Sequence, residues 1–374
     1  MNLYENNLYM EDVKYTADLS LPWEKLSGKT VLISGVTGLI GSFLADVLQY
    51  RNQAYDAGIT ILGLCRDAGA AAARFQLPSL LSSPSGEGGA FSAGRGSEAG
   101  AVSAAASLHL LSHDINTPLS QDILGHADFV LHLASNTHPV QYATDPIGTI
   151  TSNILGLMNM LEYACACGSE RVLFASSNEI YGENRGDVEL FDEHYCGYID
   201  SNTLRAGYPE SKRCGEALVQ AYIRQKGTDA VIARLTRSYG PTMKMSDTKA
   251  ISQFIRKGIA GEDIVLKSAG EQFYSYTYVS DAVAGLLTVL LKGTCGAAYN
   301  ISDEASDIKL KDLAVLIAGC AGKKVVFDLP DATEAAGFSK ATKARLNGSL
   351  LKTLGFVPRY DIRTGIERTI TILK

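Results

Sequence analysis

Residues 30–42 read TVLISGVTGLIGS. An apolar, β-branched run meets Gly35, Gly38 and Gly41, and an amphipathic helical pattern, GSFLADVLQYRN, follows. A short apolar run without alternation reads as a strand buried on both faces. The turn at its end needs positive φ, which glycine takes freely, and a backbone without Cβ lets a pyrophosphate approach. The helix start adds free N–H groups and a positive dipole end. This order predicts a dinucleotide site at Gly35, Thr37, Gly38, Leu39, Ile40 and Gly41, with G-x-x-G-x-x-G spacing.

Outward from this turn the alternation continues. ITILGLC, LHLLSHDI, ADFVLHLAS and RVLFASS read as strands, and GTITSNILGLMNMLEYACACG as a long helix. Such alternation predicts a parallel sheet covered by helices on both faces. Residues 68–107 interrupt it with Ala, Ser and Gly and almost no charge. Residues 69–81 suit a short helix, and the remainder reads as a flexible surface loop. Residues 1–27 read as an arm, with the single Trp23 anchoring it. DAVIARLTRSYGP reads as one strand closed by Pro241. The expected organisation is a doubly wound sheet over 28–182, with 208–240 and 276–300 packing on it. A smaller α/β unit for substrate would comprise 183–207, 241–275 and 301–374.

Composition narrows the function. At 374 residues and 46% hydrophobic, the chain can bury a large core. A net charge of −6 argues against nucleic acid as the main partner but leaves room for a local basic pocket. The seven cysteines form no C-x-x-C pair, which predicts neither a disulfide framework nor a metal site and suits a reducing cytoplasm. The N-terminus has no apolar signal region, and no apolar run is of membrane-spanning length.

Two local patterns carry chemistry. The second strand ends Cys65, Arg66, Asp67, where a dinucleotide site commonly places an acid for the ribose hydroxyls. Arg66 favours a 2′-phosphate instead, although a solvated arginine at a loop start is the plain alternative. GYPESKRCGE places Tyr208 and Lys212 four apart, on one helix face. A nearby cation stabilises phenolate and suits the tyrosine to general base work. Y-x-x-x-K alone is common and usually a surface pair. It gains weight from lying downstream of the glycine turn and of a strand ending in Ser176-Ser177.

The order G-x-x-G-x-x-G, HLAS, SSNEIYG, Y-x-x-x-K resembles the extended short-chain dehydrogenase/reductase family, over roughly residues 28–374. These are NAD(P)-dependent nucleotide-sugar epimerases, dehydratases and decarboxylases. HPVQYATDPIGTITSNILGLMNML, LRAGYPESKR and YGPTMKMSD look like segments of UDP-glucuronate decarboxylases. The resemblance implies a Rossmann domain, a smaller substrate domain, tightly bound NAD or NADP, a nucleotide-sugar substrate and a homodimer. It implies that Asp114 and Ile115 meet the adenine and that Ala134, Ser135 and Asn153 line the nicotinamide side. A turn and a helix cap are the plain alternatives for Asp114 and Asn153. It further implies that Ser177 binds the reacting hydroxyl, Tyr208 takes its proton, and Lys212 holds the ribose and tunes Tyr208.

The shared first step implied is oxidation at sugar C4. Asn178 stands where Asp–Glu dehydratases have their acid, which weakens dehydration, and Glu179 would orient the sugar. Three positions depart from decarboxylases: Thr242 in GPTM, Tyr274 where an arginine meets the phosphates, and Lys343 or Arg345 at the C-terminal arginine. Asn178, Arg205, Arg237 and Lys249 are the candidate substrate-binding residues, with Arg237 able to replace a lost phosphate contact and Lys249 standing where decarboxylases have an arginine. The alternatives are an NADPH-dependent reductase of a nucleotide-linked keto sugar or polyol precursor, and a dinucleotide-binding regulator without chemistry.

Overall fold

A computed structural model of the chain describes residues 2–75, 107–137, 139–328 and 343–374. Residues 76–106, most of the expected insertion, lie outside the described residues.

The opening stretch folds as strand β1 (Thr30–Ser34) and helix α2 (Leu39–Tyr55), preceded by α1 (Asn7–Ala17). Then come β2 (Thr60–Cys65), α3 (Ala68–Phe75), β3 (Leu108–Ser112), α4 (Gln121–Leu124) and β4 (Phe129–His132). They are followed by α5 (Pro139–Thr144), α6 (Pro146–Cys167), β5 (Arg171–Ser177), α7 (Gly207–Lys226) and β6 (Ala230–Leu235). With β10 (Ala298–Ile301), these strands make one seven-stranded sheet ordered β10-β6-β5-β4-β1-β2-β3, parallel at every pairing. The order reverses between β1 and β4, the switch point of a Rossmann-type sheet, where ligands sit beyond the carboxyl ends.

The strands are apolar throughout because both faces are covered. In β1, Val31 and Ile33 join the core on the side of α2 and α9 (Val279–Lys292), while Leu32 joins the core on the side of α6 and α7. Helix α6 is set by local chemistry. Asp145 accepts from the Gly148 N–H at its start, beside Pro146, and Gly168 ends it in the left-handed conformation.

Two readings change. The first 27 residues are not a separate arm. Helix α1 is built into the body, with Tyr9, Val13 and Ala17 buried. Buried Asp12 accepts from the Tyr278 and Tyr360 hydroxyls, each at 2.6 Å, and pairs with Arg368 at 2.8 Å. The helix docks largely through polar side chains, which apolar periodicity undercounts. Trp23 is buried as expected and donates to the Leu19 carbonyl. The run DAVIARLTRSYGP is not one strand. It breaks at Thr236, whose hydroxyl meets that of Thr277 at 2.5 Å. Strand β7 (Arg237–Tyr239) then pairs with β9 (Phe273–Tyr278) in a second sheet that includes β11 (Asp307–Lys309) and β13 (Lys343–Ala344).

Around this second sheet lie α8 (Ala250–Ala260), β8 (Ile264–Leu266), α10 (Leu310–Ala321), β12 (Val325–Phe327) and α12 (Ile362–Leu373), while α11 (Ser349–Lys352) packs on β10 and α9. Residues 28–302 thus supply the large sheet and most of its helices, and the chain leaves it between β6 and β10, and again after β10, to build the second sheet.

Candidate active site

The β1–α2 turn needs its glycines. Gly35 has φ of +72°, and a Cβ there would stand 2.8 Å from the Ala134 backbone. A Cβ on Gly41 would stand 2.3 Å from the Gly35 carbonyl, so strand and helix pack without a spacer. Gly38 starts α2 with no side-chain cap, leaving the first-turn N–H groups of Leu39, Ile40 and Gly41 to a ligand. These features fit a dinucleotide pyrophosphate.

Ser177 is the last residue of β5. Its hydroxyl accepts from the Glu179 N–H at 3.2 Å, and together with Ser135 it faces the Tyr208 phenol. Helix α7 presents Tyr208 and Lys212 one turn apart, both buried. Tyr208 stacks on Tyr142, with ring centroids 5.0 Å apart. Burial, and then the Glu179 carboxylate, push the phenol pKa well above its ordinary value; Ser177, Arg205 and Ser135 oppose this. Lys212 donates to the Ala175 carbonyl at 2.8 Å and lies 5.9 Å from the Tyr208 ring centroid. Burial pushes its pKa down to about 7.

Glu179 accepts from Arg205 at 2.8 Å, so its carboxylate is held as an ion pair facing the Tyr208 side of the site. Arg237 lays its guanidinium 3.6 Å over the Tyr274 ring. Tyr274, one of the departures from decarboxylases, is therefore in contact with Arg237, the candidate replacement for a lost phosphate contact. Lys249 stands 3.4 Å from Asp247.

These groups line one cavity of about 880 Å³. It brings together Gly35, Gly38, Leu39, Ile40, Gly41, Ser135, Ser177, Asn178, Glu179, Arg205, Tyr208, Lys212, Arg237 and Lys249. Thr37, Arg66, Asp114, Ile115, Ala134 and Asn153 are not on its wall. Ala134 is pressed against Gly35, and the buried Asn153 amide donates to Ser211 at 2.9 Å, behind Tyr208. Asp114 caps its own turn, accepting from the Asn116 N–H. Neither Lys343 nor Arg345 lines the cavity; Arg345 pairs with Asp307 at 2.7 Å.

Sequence reasoning missed Tyr142, Thr248, Arg256, Lys267 and Gln272 on the wall. Arg256 was visible only as a polar position in the pattern of α8. The cavity is strongly cationic. Among the described lining residues, Arg205, Lys212, Arg237, Lys249, Arg256 and Lys267 face one acid, Glu179. Buried polar atoms without a protein partner gather here too: Arg205 Nη1, Arg237 Nη1, Thr248 Oγ1, Arg256 Nε and Gln272 Oε1. A pocket with unmet donors and excess positive charge fits a polyanion.

A family model described as the NAD dependent epimerase/dehydratase family matches residues 31–302. The chain belongs to this family. UDP-glucuronic acid decarboxylase 1 of Xenopus tropicalis is 32% identical over 263 residues, covering 70% of this chain and 59% of that protein. UDP-glucuronic acid decarboxylase 5 of Arabidopsis thaliana is 32% identical over 260 residues, covering 69% and 72%. The match thus spans less than two thirds of the length of the vertebrate relative.

Among solved structures, UDP-glucuronic acid 4-epimerase from Bacillus cereus, in complex with UDP-glucuronic acid and NAD, superposes with a TM-score of 0.72 at 18% identity. That match covers 92% of this chain and 98% of the other. A dTDP-glucose 4,6-dehydratase from Streptomyces venezuelae with NAD bound gives 0.71 at 20%, covering 92% and 96%. These similarities fix the fold as that of the family, which is NAD-dependent. Among the described residues no helix is long and apolar enough to cross a membrane, and no cluster suits a metal.

Proposed function

We propose that this chain is a nucleotide-sugar enzyme that oxidises C4 of its substrate and then decarboxylates a C6 uronate. The observation that carries the reading is the assembly of Ser177, Tyr208 and Lys212 on the wall that also holds the glycine turn. A bound nicotinamide supplies the hydride acceptor at this site. Tyr208, as phenolate, takes the C4 hydroxyl proton while Ser177 holds that oxygen. Ser177, Arg205 and Ser135 favour that phenolate against burial and the Glu179 charge. The 4-keto product of a uronate is a β-keto acid, which would lose CO₂ and leave an enolate to be protonated at C5; Tyr208 would give its proton back to the C4 oxygen when that carbon is reduced again.

Asn178 and Glu179 support this outcome over dehydration. An amide supplies no acid, and Glu179 is already paired with Arg205. The unpartnered Nη1 atoms of Arg205 and Arg237 suit a carboxylate and a diphosphate. Lys249 and Arg256 extend the cationic wall for the nucleotide phosphates. The lyase reading is tested with UDP-glucuronate and a panel of other nucleotide uronates, following CO₂ and the pentose product by mass spectrometry. Absence of both, with no transient reduction of cofactor by any nucleotide sugar, defeats it. A second reading, reduction of a nucleotide-linked keto sugar with NADPH consumed, draws on Arg66; stoichiometric NADPH loss distinguishes it.

The protein would act as a cytoplasmic homodimer. All seven cysteines are free. Helix α6 exposes Ile147, Ile150, Leu155 and Met158 along one side, a stripe suited to a second copy. Light scattering on Leu155→Glu, expected to be monomeric, checks this.

A further inference from the structure

Among the described residues, the end of β5 that carries Ser177 has a sheet neighbour on one edge. The β4–β5 ladder stops where His132 lies opposite Phe174, whereas β6 accompanies β5 as far as Leu235 opposite Ser177. A strand end paired on one edge has fewer ladder bonds to hold its position. Side chains of α7 supply the missing support. Lys212 Nζ donates to the Ala175 carbonyl at 2.8 Å, and Ser176 Oγ donates to Glu216 Oε1 at 2.5 Å. Beyond Ser177, Arg213 Nε donates to the Ile180 carbonyl at 2.7 Å. The same helix carries Tyr208, so one element holds both the phenol and the strand end that it must meet.

Glu216 is itself held. Ser176 lies opposite Arg234 in the β5–β6 register, so both side chains leave the sheet on the face that α7 covers. Arg234 grips Glu216 through Nε and Nη2, at 3.0 and 2.7 Å. Its Nη1 donates to the Tyr181 hydroxyl at 2.9 Å and to the Glu193 carbonyl at 2.7 Å, and Tyr181 donates to Asn300 Oδ1 at 2.6 Å. Ser176 and Arg234 are buried, and the Glu216 side chain is 14% exposed. A two-pronged guanidinium–carboxylate pair fixes angle as well as distance, and little water competes for it here. Neither Glu216 nor Arg234 is on the cavity wall, so the pair reaches the chemistry through the residues that it holds.

We propose that Glu216, braced by Arg234, is a positioning residue for the oxidation step: it sets Ser177 against Tyr208 by pinning the preceding Ser176 to the helix that carries the phenol. The inference rests on Ser177 and Tyr208 as the groups that handle the C4 hydroxyl, and it holds whichever sugar is turned over.

Initial rates of the full chain with UDP-glucuronate and the other nucleotide uronates of the panel, at saturating NAD and per mole of NAD-binding protein, test it. Ser176→Ala is expected to lower kcat roughly 3–10-fold and Glu216→Gln roughly 10–100-fold, each with KM within about twofold. The double variant should match Glu216→Gln within about twofold, because both changes break one brace. Asp229→Asn is the control. It breaks the two-pronged Arg171–Asp229 pair, at 3.0 and 2.8 Å, at the opposite end of the same strand. That variant should lower Tm and keep kcat within about twofold. An unchanged kcat in Ser176→Ala and Glu216→Gln, or an equal loss in Asp229→Asn, makes the brace merely structural and overturns the proposal alone. Should Glu216→Gln not fold, Ser176→Ala decides by itself. If the unaltered chain turns over no member of the panel, the proposal falls together with the proposed function.

Discussion

The Lys212 ammonium is 2% exposed and has one carbonyl partner at 2.8 Å. Its pKa falls from the ordinary 10.5 to about 7. Between those values the unfolded chain binds more protons than the folded one, so stability rises with pH through that window. At and below neutral pH the cost of charging the buried lysine is largest. Lys212→Met is therefore expected to stabilise the cofactor-free protein by ~1–3 kcal/mol at neutral pH, after the lost carbonyl bond is allowed for. It should also flatten the rise in Tm between about pH 7 and 10. Thermal melts across pH read both effects, and a lower Tm with the slope intact contradicts them. Tyr208→Phe makes the complementary case. It leaves the stack on Tyr142 in place and removes only the hydroxyl that Ser177 and Ser135 face. Turnover should fall by roughly 10²–10⁴-fold with cofactor affinity little changed. A KM effect without a kcat effect would make Tyr208 a binding group rather than the base.

Helix α1 shows how an element can be held by side chains far away in sequence. Asp12 meets Tyr278 and Tyr360, 266 and 348 positions on, and Arg368 closes the group. Asp12→Ala leaves two buried hydroxyls without their acceptor and takes one partner from the half-buried Arg368, which keeps Glu11 and the Leu8 carbonyl, and should cost about 2–4 kcal/mol, measured by urea unfolding. A change below about 1 kcal/mol would mean that α1 docks by apolar contact alone. The same distance effect separates what was legible in the sequence from what was not. The turn at Gly35, the strand ending at Ser177 and the helix carrying Tyr208 and Lys212 are set by neighbours in sequence, so pattern and spacing revealed them. The docking of α1, the break at Thr236, the Tyr142–Tyr208 stack and the Arg237–Tyr274 stack depend on partners brought together only by the fold. No local period encodes them. Arg345 illustrates the reverse error: it occupies a plausible position for the substrate carboxylate, but Asp307 holds it away from the cavity.

On the scale of the whole molecule, a chain of net charge −6 encloses a cavity whose described lining residues include six basic side chains and one acid. The two fields act over different ranges. The diffuse negative surface repels a dianionic substrate from afar, whereas the cavity attracts it at contact, between low-dielectric walls that concentrate the field. Salt shortens the Debye length to about 8 Å at physiological ionic strength, so it removes the distant repulsion first and weakens the contact attraction later. KM for a nucleotide-diphosphate substrate should therefore change little up to about 0.1 M salt and then rise several-fold towards about 0.5 M. The chemical step, sealed among Ser177, Tyr208 and Lys212, should keep kcat within about twofold over the same range. Arg237→Met isolates the wall's contribution, because it keeps an apolar stem against Tyr274 while deleting one unmet donor. The variant should show a higher KM and a shallower salt dependence, since one fewer charge remains to be screened. Initial rates at three or four salt concentrations decide it: a salt slope identical to that of the unaltered chain would place Arg237 outside the phosphate contact and assign that role to Lys249 and Arg256.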